Sequence, residues 1–201
     1  MANNSIADFK ARLTGGGARA NLFRVHCNFP DYVDAGDEEK ASFLIKTAAL
    51  PASLIANITI PFRGRQLQVA GDRSFEPWAI TVLNDTDFDL RNAFEQWMNG
   101  INQHAANTGL TDPDEYMMDL WIEQLDKDGN PIKTYDFRGC WPSAVSAIDV
   151  SYDAENTIEE FGVEFQVTWW ESDTSTDYSS GPTVDGGNID VTAVEAPPSD
   201  D

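Results

Sequence analysis

The residues of this 201-residue chain that could do chemistry by type are two histidines, two cysteines and an abundance of carboxylates. A histidine base needs a nucleophile or a metal beside it. His26 sits on the polar side of the alternating stretch "NLFRVHCNF", and His104 follows a helical stretch where it frays; spacing gives neither a partner. Cys27 and Cys140 lack CxxC or zinc-ligand spacing; one disulfide is arithmetically possible, but two buried free thiols are the favoured reading. Asp85, Asp87 and Asp89 could hold a cation, but their place at a helix start favours capping. "DKDGN" resembles a calcium loop without the later Glu or the twelve-residue frame, so it reads as a turn. GxSxG, HExxH, P-loop and GxGxxG patterns are absent from the sequence, and nothing singles out a carboxylate pair for glycoside hydrolysis. The expectation is a protein that is not an enzyme and holds no cofactor or metal.

Composition narrows the class further. The formal charge is −21, which argues against gripping nucleic acid or docking on an anionic membrane, since both need Lys and Arg to meet phosphate. Six Trp and eleven Phe supply a core that a disordered chain would not carry. "MANNSIADFKARL" has no apolar run of signal-peptide type, and no long apolar run follows, so neither export by a signal peptide nor a membrane anchor is expected.

The elements that must position these residues are mostly strands. "NSIADFKARLTGGG" reads as a short helix with a Ser5–Asp8 capping box and Ile6, Phe9 and Leu13 on one face. "NLFRVHCNF", "ASFLIKTAAL", "AVSAIDVSY" and "IEEFGVEFQVTWW" read as strands, and "YMMDLWIEQL" and "IKTYDFRGCW" as a hairpin about "DKDGNP". "NDTDFDLRNAFEQWMNGI" is the strong helix, with Leu90, Phe94, Trp97, Met98 and Ile101 in one stripe. In "PFRGRQLQVAGDRSFEPWAITVLND" a bulge at Gly64 and Arg65 would turn Phe62, Leu67 and Val69 inward, with "AGDR" as the turn and Gly71 at positive φ. The reading is a mainly β domain over 1-171: two packed antiparallel sheets, a β-sandwich or distorted barrel, with one flanking α-helix and a short N-terminal helix. An acidic, flexible tail is expected over 172-201.

Taken in order, "NLFRV", "KTAALPASL", "IPFRGRQLQVAGDRSFEPWAITVLND", "GCWPSAVSAIDVSYDAENTIEEFGVEF" and the closing "WWE" resemble the tail tube proteins of contractile-tailed bacteriophages over roughly residues 5–171. The acidic insert "DAGDEEK" and the tail lie outside that pattern. The resemblance implies hexameric rings stacked into a hollow tube within a tail sheath, contacting tape measure, baseplate and tail terminator proteins. It places the chain in the virion, assembled in the host cytoplasm, with DNA passing through without specific binding. The inner tube of a bacterial contractile injection system is the related alternative. From another class comes a carbohydrate-binding β-sandwich presenting Trp121, Trp141 or Trp170.

In such a ring the acidity has a use: a carboxylate-lined bore repels phosphate weakly, with a reach of about 8 Å, instead of holding it. Glu160 and Glu164 are the first lumen-lining candidates, and Asp149 and Asp153 on the preceding predicted strand the second. Solvent exposure on the outside is the competing reading. Like-charged copies also need positive charge where they meet, and Arg63, Arg65 and Arg73, with Asp72 beside them, are the candidates at subunit or ring contacts. The competing reading pairs Arg73 with Asp72 or Glu76. The segment from Thr47 to Asn57 would reach an adjacent ring, burying Leu50, Leu54 and Ile55.

Overall fold

In a computed structural model, residues 5–175 are described. Almost all of the predicted tail therefore lies outside the described residues. The chain opens with α1 (Ile6–Arg12), β1 (Phe23–Cys27), α2 (Glu38–Leu44) and β2 (Ile45–Ala48). Three longer strands follow: β3 (Leu54–Phe62), β4 (Arg65–Ser74) and β5 (Trp78–Leu83). Helices α3 (Asp89–Ile101) and α4 (Pro113–Tyr116) precede β6 (Met118–Leu125), β7 (Pro131–Val145), β8 (Glu160–Gln166) and β9 (Trp169–Ser172).

Every pairing is antiparallel, and the main path runs β1-β6-β7-β8-β5-β2, with β9 also on β7. The first part of β7 pairs with β6 and β9, and its last residues, from Trp141, pair with β8. One long strand thus serves two sheets. It passes from one to the other at Gly139, which takes φ +59, and a Cβ there would lie 2.7 Å from Thr168 Oγ1. The sheets close on each other over the core. Val25, Cys27, Leu120, Ile122 and Phe137 from the β1-β6-β7 side meet Trp78, Ile80, Val82, Phe161, Val163 and Phe165 from the β8-β5 side. Trp78 stacks on Phe137 with ring centroids 4.4 Å apart. Along the side lies α3, burying Leu90, Phe94 and Trp97, with Met98 and Ile101 half-buried. Each large core side chain contributes roughly 1.5–3 kcal/mol by burial. The path is open at β1 and β2, so it is a sandwich and not a closed barrel.

Local structure departs from the sequence reading where side chains compete with the pattern. "ASFLIKTAAL" is not one strand: Asp37 accepts from Glu39 N–H and Lys40 N–H, starting α2, and β2 keeps only Ile45–Ala48. "AVSAIDVSY" forms no continuous strand either, because β7 stops at Val145 and residues 146–159 are a loop. The last predicted strand breaks at Val167 and Thr168, and β9 crosses to the other sheet, leaving Trp169 exposed. Asn84 and Asp85 do not cap α3. Phe88 at φ +58 precedes it without a side-chain cap, while Asn84 donates to Glu159. The Ser5–Asp8 capping box and the turn at Asp126–Asn130 form as expected.

Candidate functional site

The arginine-rich stretch folds as an isolated hairpin of β3 on β4, and neither strand packs extensively on any other described element. The turn is not at "AGDR". It is at Arg63 and Gly64, with φ +47 and +80, the backbone that a two-residue hairpin joining Phe62 to Arg65 requires. β4 runs on through Gly71, which sits opposite Ala56 at an irregularity; a Cβ there would lie 3.1 Å from the Ala56 carbonyl oxygen.

Register sorts the hairpin's two faces. Ile58 opposes Val69, Ile60 opposes Leu67 and Phe62 opposes Arg65, and strand alternation adds Leu54 to that face. The other face carries Asn57, Thr59, Gln66 and Gln68, where Gln68 Oε1 accepts from Asn57 Nδ2 and from Thr59 Oγ1. Phe62, Leu67 and Val69 do share a face, as expected, but they do not point into the core. All six apolar residues are 41–67% exposed. Two strands alone are marginal in water, and an exposed apolar ribbon of this kind is the surface type that marks interaction sites.

The root is fixed while the tip is free. Trp78 Nε1 donates to the Ala49 carbonyl at 2.7 Å, Trp170 Nε1 to that of Ala52 at 3.2 Å, and Arg73 Nη1 to Ser53 Oγ at 2.7 Å. Both indoles act as clamps through backbone carbonyls far away in sequence, contacts that local spacing does not report. Arg73 pairs with neither Asp72 nor Glu76, and Asp72 is exposed at the β4 irregularity. The guanidinium of Arg63 lies 5.3 Å over the Phe62 ring; among the described residues, neither Arg63 nor Arg65 has an ion-pair partner. Leu50, Leu54 and Ile55 are about half exposed.

The outer face of the β2-β5-β8 sheet is the second part of the site. Glu160 and Glu164 alternate with buried Phe161, Val163 and Phe165, as the pattern required. They stand opposite Leu83 and Ala79, and Gly162 opposite Thr81 lies between them. Around the two carboxylates the floor is built from Ala79, Thr81, Gly162 and the larger Leu83. Glu160 Oε1 is 2.5 Å from Lys46 Nζ, a partner that the sequence did not reveal; Glu164 has no ion pair among the described residues. Asp149 and Asp153 are on the 146–159 loop and not on a strand, which removes the stated reason for placing them on this wall. On both sides the sheet ends in an unpaired edge among the described residues, β2 on one and the far half of β7 on the other.

Residues that invited chemistry have other work. Asp85, Asp87 and Asp89 bring ligand atoms within 4.8 Å of one another, but the Lys40 ammonium sits against Asp85 and Asp89. Hydrogen bonding to Lys40 holds the Asp85 carboxyl below its usual range and pushes Lys40 above its own. Asp126, in the turn, is lowered by the Asn130 backbone N–H and side chain. Burial pushes the thiols of Cys27 and Cys140 up to about 12, so near neutrality they are poor nucleophiles. His26 stacks on Trp121 at 4.6 Å, with Nε2 3.5 Å from Glu123 Oε2. Trp121 thus carries a ring already, Trp170 is wedged between Phe75 and Tyr135, and Trp141 is half-buried. The geometry gives the sugar-platform alternative no support. No described helix is long and apolar enough to cross a membrane.

The fold is a sandwich with open sheet edges and a projecting hairpin that exposes one apolar face. Residues 18–172 match the family model described as phage tail tube protein, and the chain belongs to that family. Among its relatives is the tail tube protein gp19 of Enterobacteria phage T4, 32% identical over 160 residues, covering 79% of this chain and 93% of the relative. The tail tube protein of Serratia phage KSP90 is 29% identical over 160 residues, covering 78% of this chain and 90% of that one. Two solved structures share the fold at 12% identity. One is a chain of the anti-feeding prophage baseplate, with TM-score 0.59 and coverage of 78% of this chain and 95% of that one. The other is from the sheath-tube complex of the PVC extracellular contractile injection system in its extended state, with TM-score 0.54 and coverage of 85% and 98%.

Proposed function

We propose that this chain is the structural unit of a contractile phage tail's inner tube, assembling as hexameric rings that stack into a hollow channel. The observation that carries the reading is the β3–β4 hairpin, which exposes an apolar face that no other described part of its own protomer covers. Head-to-tail contacts that close by rotation give a ring, and those that do not close give a filament. Joining the unpaired edges of β2 and β7 between copies removes strand edges that would otherwise aggregate. The resemblance to contractile-phage tubes supplies the number six.

The Glu160–Glu164 face is the bore wall. Glu164, without an ion pair among the described residues, supplies a negative charge from every copy, so DNA slides without counterion release. The partners are the sheath outside, the tape measure protein inside, and baseplate and terminator proteins at the ends. The role is non-enzymatic, in the virion, after assembly in the host cytoplasm. A contractile injection system tube, with another cargo, is the second reading, favoured by the fold shared with injection-system chains. Sequence identity near 30% to phage tail tube proteins favours the first. A cryo-EM reconstruction of tubes assembled from the full chain tests it. Six subunits per ring with Glu164 facing the bore is the expected result; a different closed count, or Glu164 on the outer surface, overturns it.

A further inference from the structure

We infer that the acceptor for the arginine-tipped hairpin is the 146–159 loop of a second copy, so that rings join pole to pole through one positive and one negative surface. This rests on the stacked-tube reading and adds to it the identity of the meeting surfaces.

Three observations converge. The first is position. β5 runs from Trp78 to Leu83, pairing with β8 from Phe165 to Glu160. The hairpin returns to the sheet at the Trp78 end, where the root is clamped to Ala49 and Ala52. The 146–159 loop enters β8 at the Glu160 end, and Asn84, just past β5, accepts the loop there: its backbone N–H donates to the Glu159 carbonyl at 2.8 Å. The two surfaces leave the sheet at opposite ends, roughly 20 Å apart along a six-residue strand. Within the protomer they do not meet, since among the described residues neither Arg63 nor Arg65 pairs with a loop carboxylate. A copy displaced along the strand direction brings them together, which is the head-to-tail geometry that open stacking needs.

The second observation is charge. Between Ser53 and Ser74 this acidic chain carries Arg63, Arg65 and Arg73 against Asp72 alone. The loop carries Asp149, Asp153, Glu155 and Glu159 with no Lys or Arg. Of these, Glu159 is engaged by Asn84, and Asp149, Asp153 and Glu155 are exposed and without an ion pair among the described residues. Bidentate arginine–carboxylate pairing would set the register between rings.

The third is apolar surface. Phe62 at the hairpin tip is 67% exposed, and in the loop Val150 and Ile158 are largely exposed and Tyr152 wholly so. Large side chains left in water on both surfaces bury each other when the surfaces meet.

The test is a charge swap with the full chain. Arg63→Glu/Arg65→Glu and, separately, Asp149→Arg/Asp153→Arg should each raise the concentration needed for tube formation by roughly tenfold or more, and mixing the two variants should restore co-assembly. In chains of otherwise native sequence, Arg63→Cys and Tyr152→Cys should form a mixed disulfide between separate molecules, since both native thiols are buried. If the arginine variant assembles normally, the arginines have no part in assembly, and the inference falls with that role. If both variants fail, the mixture is not rescued and no disulfide forms between positions 63 and 152, stacking stands and the loop is not the acceptor.

Discussion

Replacing Ile60 and Leu67 together with threonine separates the hairpin's value to assembly from its value to the fold. These two side chains oppose each other across β3 and β4, and they are 46% and 59% exposed. Full burial of such a residue contributes roughly 1.5–3 kcal/mol, so covering the exposed half contributes about 1 kcal/mol each and about 2 for the pair. At tenfold per 1.4 kcal/mol, the concentration at which the chain assembles should rise roughly 30-fold. The free protomer loses only a cross-strand pair, about 0.2–1 kcal/mol confined to the hairpin, and threonine keeps the strand propensity. Light scattering against concentration reads the first quantity, and calorimetry of the dilute protomer reads the second. The main transition should move by no more than about 4 °C, the shift expected for 1 kcal/mol at this size. An unchanged assembly threshold would refute the reasoning, as would a far larger drop in the melting temperature, which would mean that the hairpin packs on its own sandwich.

Two further outcomes test the framework beneath the site. Gly139→Ala should destabilise the protomer by about 1–3 kcal/mol in urea titration, because alanine resists φ +59 and its Cβ meets Thr168 where β7 changes sheets. Lys40→Met should flatten the acid side of the stability–pH curve. Asp85 has a lowered folded pKa, so its contribution is present above its unfolded value of about 3.9 and lost as pH falls through the folded one. Lys40 is raised, so its own contribution is full below about 10.4 and lost only as pH climbs through its higher folded value. Thermal melts from pH 2 to 7 should therefore converge for variant and parent at the acid end; parallel curves would dissociate Lys40 from Asp85.

Much of the fold was legible because period-two alternation is a strong signal wherever one face is buried. β1, β5, β6 and β8 alternate between core and surface as the sequence reading required, and the α3 stripe is buried at Leu90, Phe94 and Trp97. The hairpin misled for a physical reason. Its alternation is as clean as that of a core strand, but its apolar face is exposed on the protomer, and sequence carries no mark distinguishing the two destinations. Arg63-Gly64 and Gly71 both offer a glycine for a reversal, and only the strand register, with Phe62 opposite Arg65, decides for the first. Asp37 was missed as the cap of α2 because it stands within an acidic run where no single carboxylate is distinguished. Glu160 and Glu164 alternate with the buried row as period two requires, but the Lys46 contact comes from a strand 114 residues earlier in sequence, which local spacing does not report.

The central claim, that one protomer is an unfinished object completed by copies of itself, is tested most directly by sedimentation velocity of the purified full chain across a wide range of concentration. The account predicts a protomer at high dilution that gives way to rings and then to long, rapidly sedimenting tubes as concentration rises. A single species of about 22 kDa persisting at every concentration would contradict it.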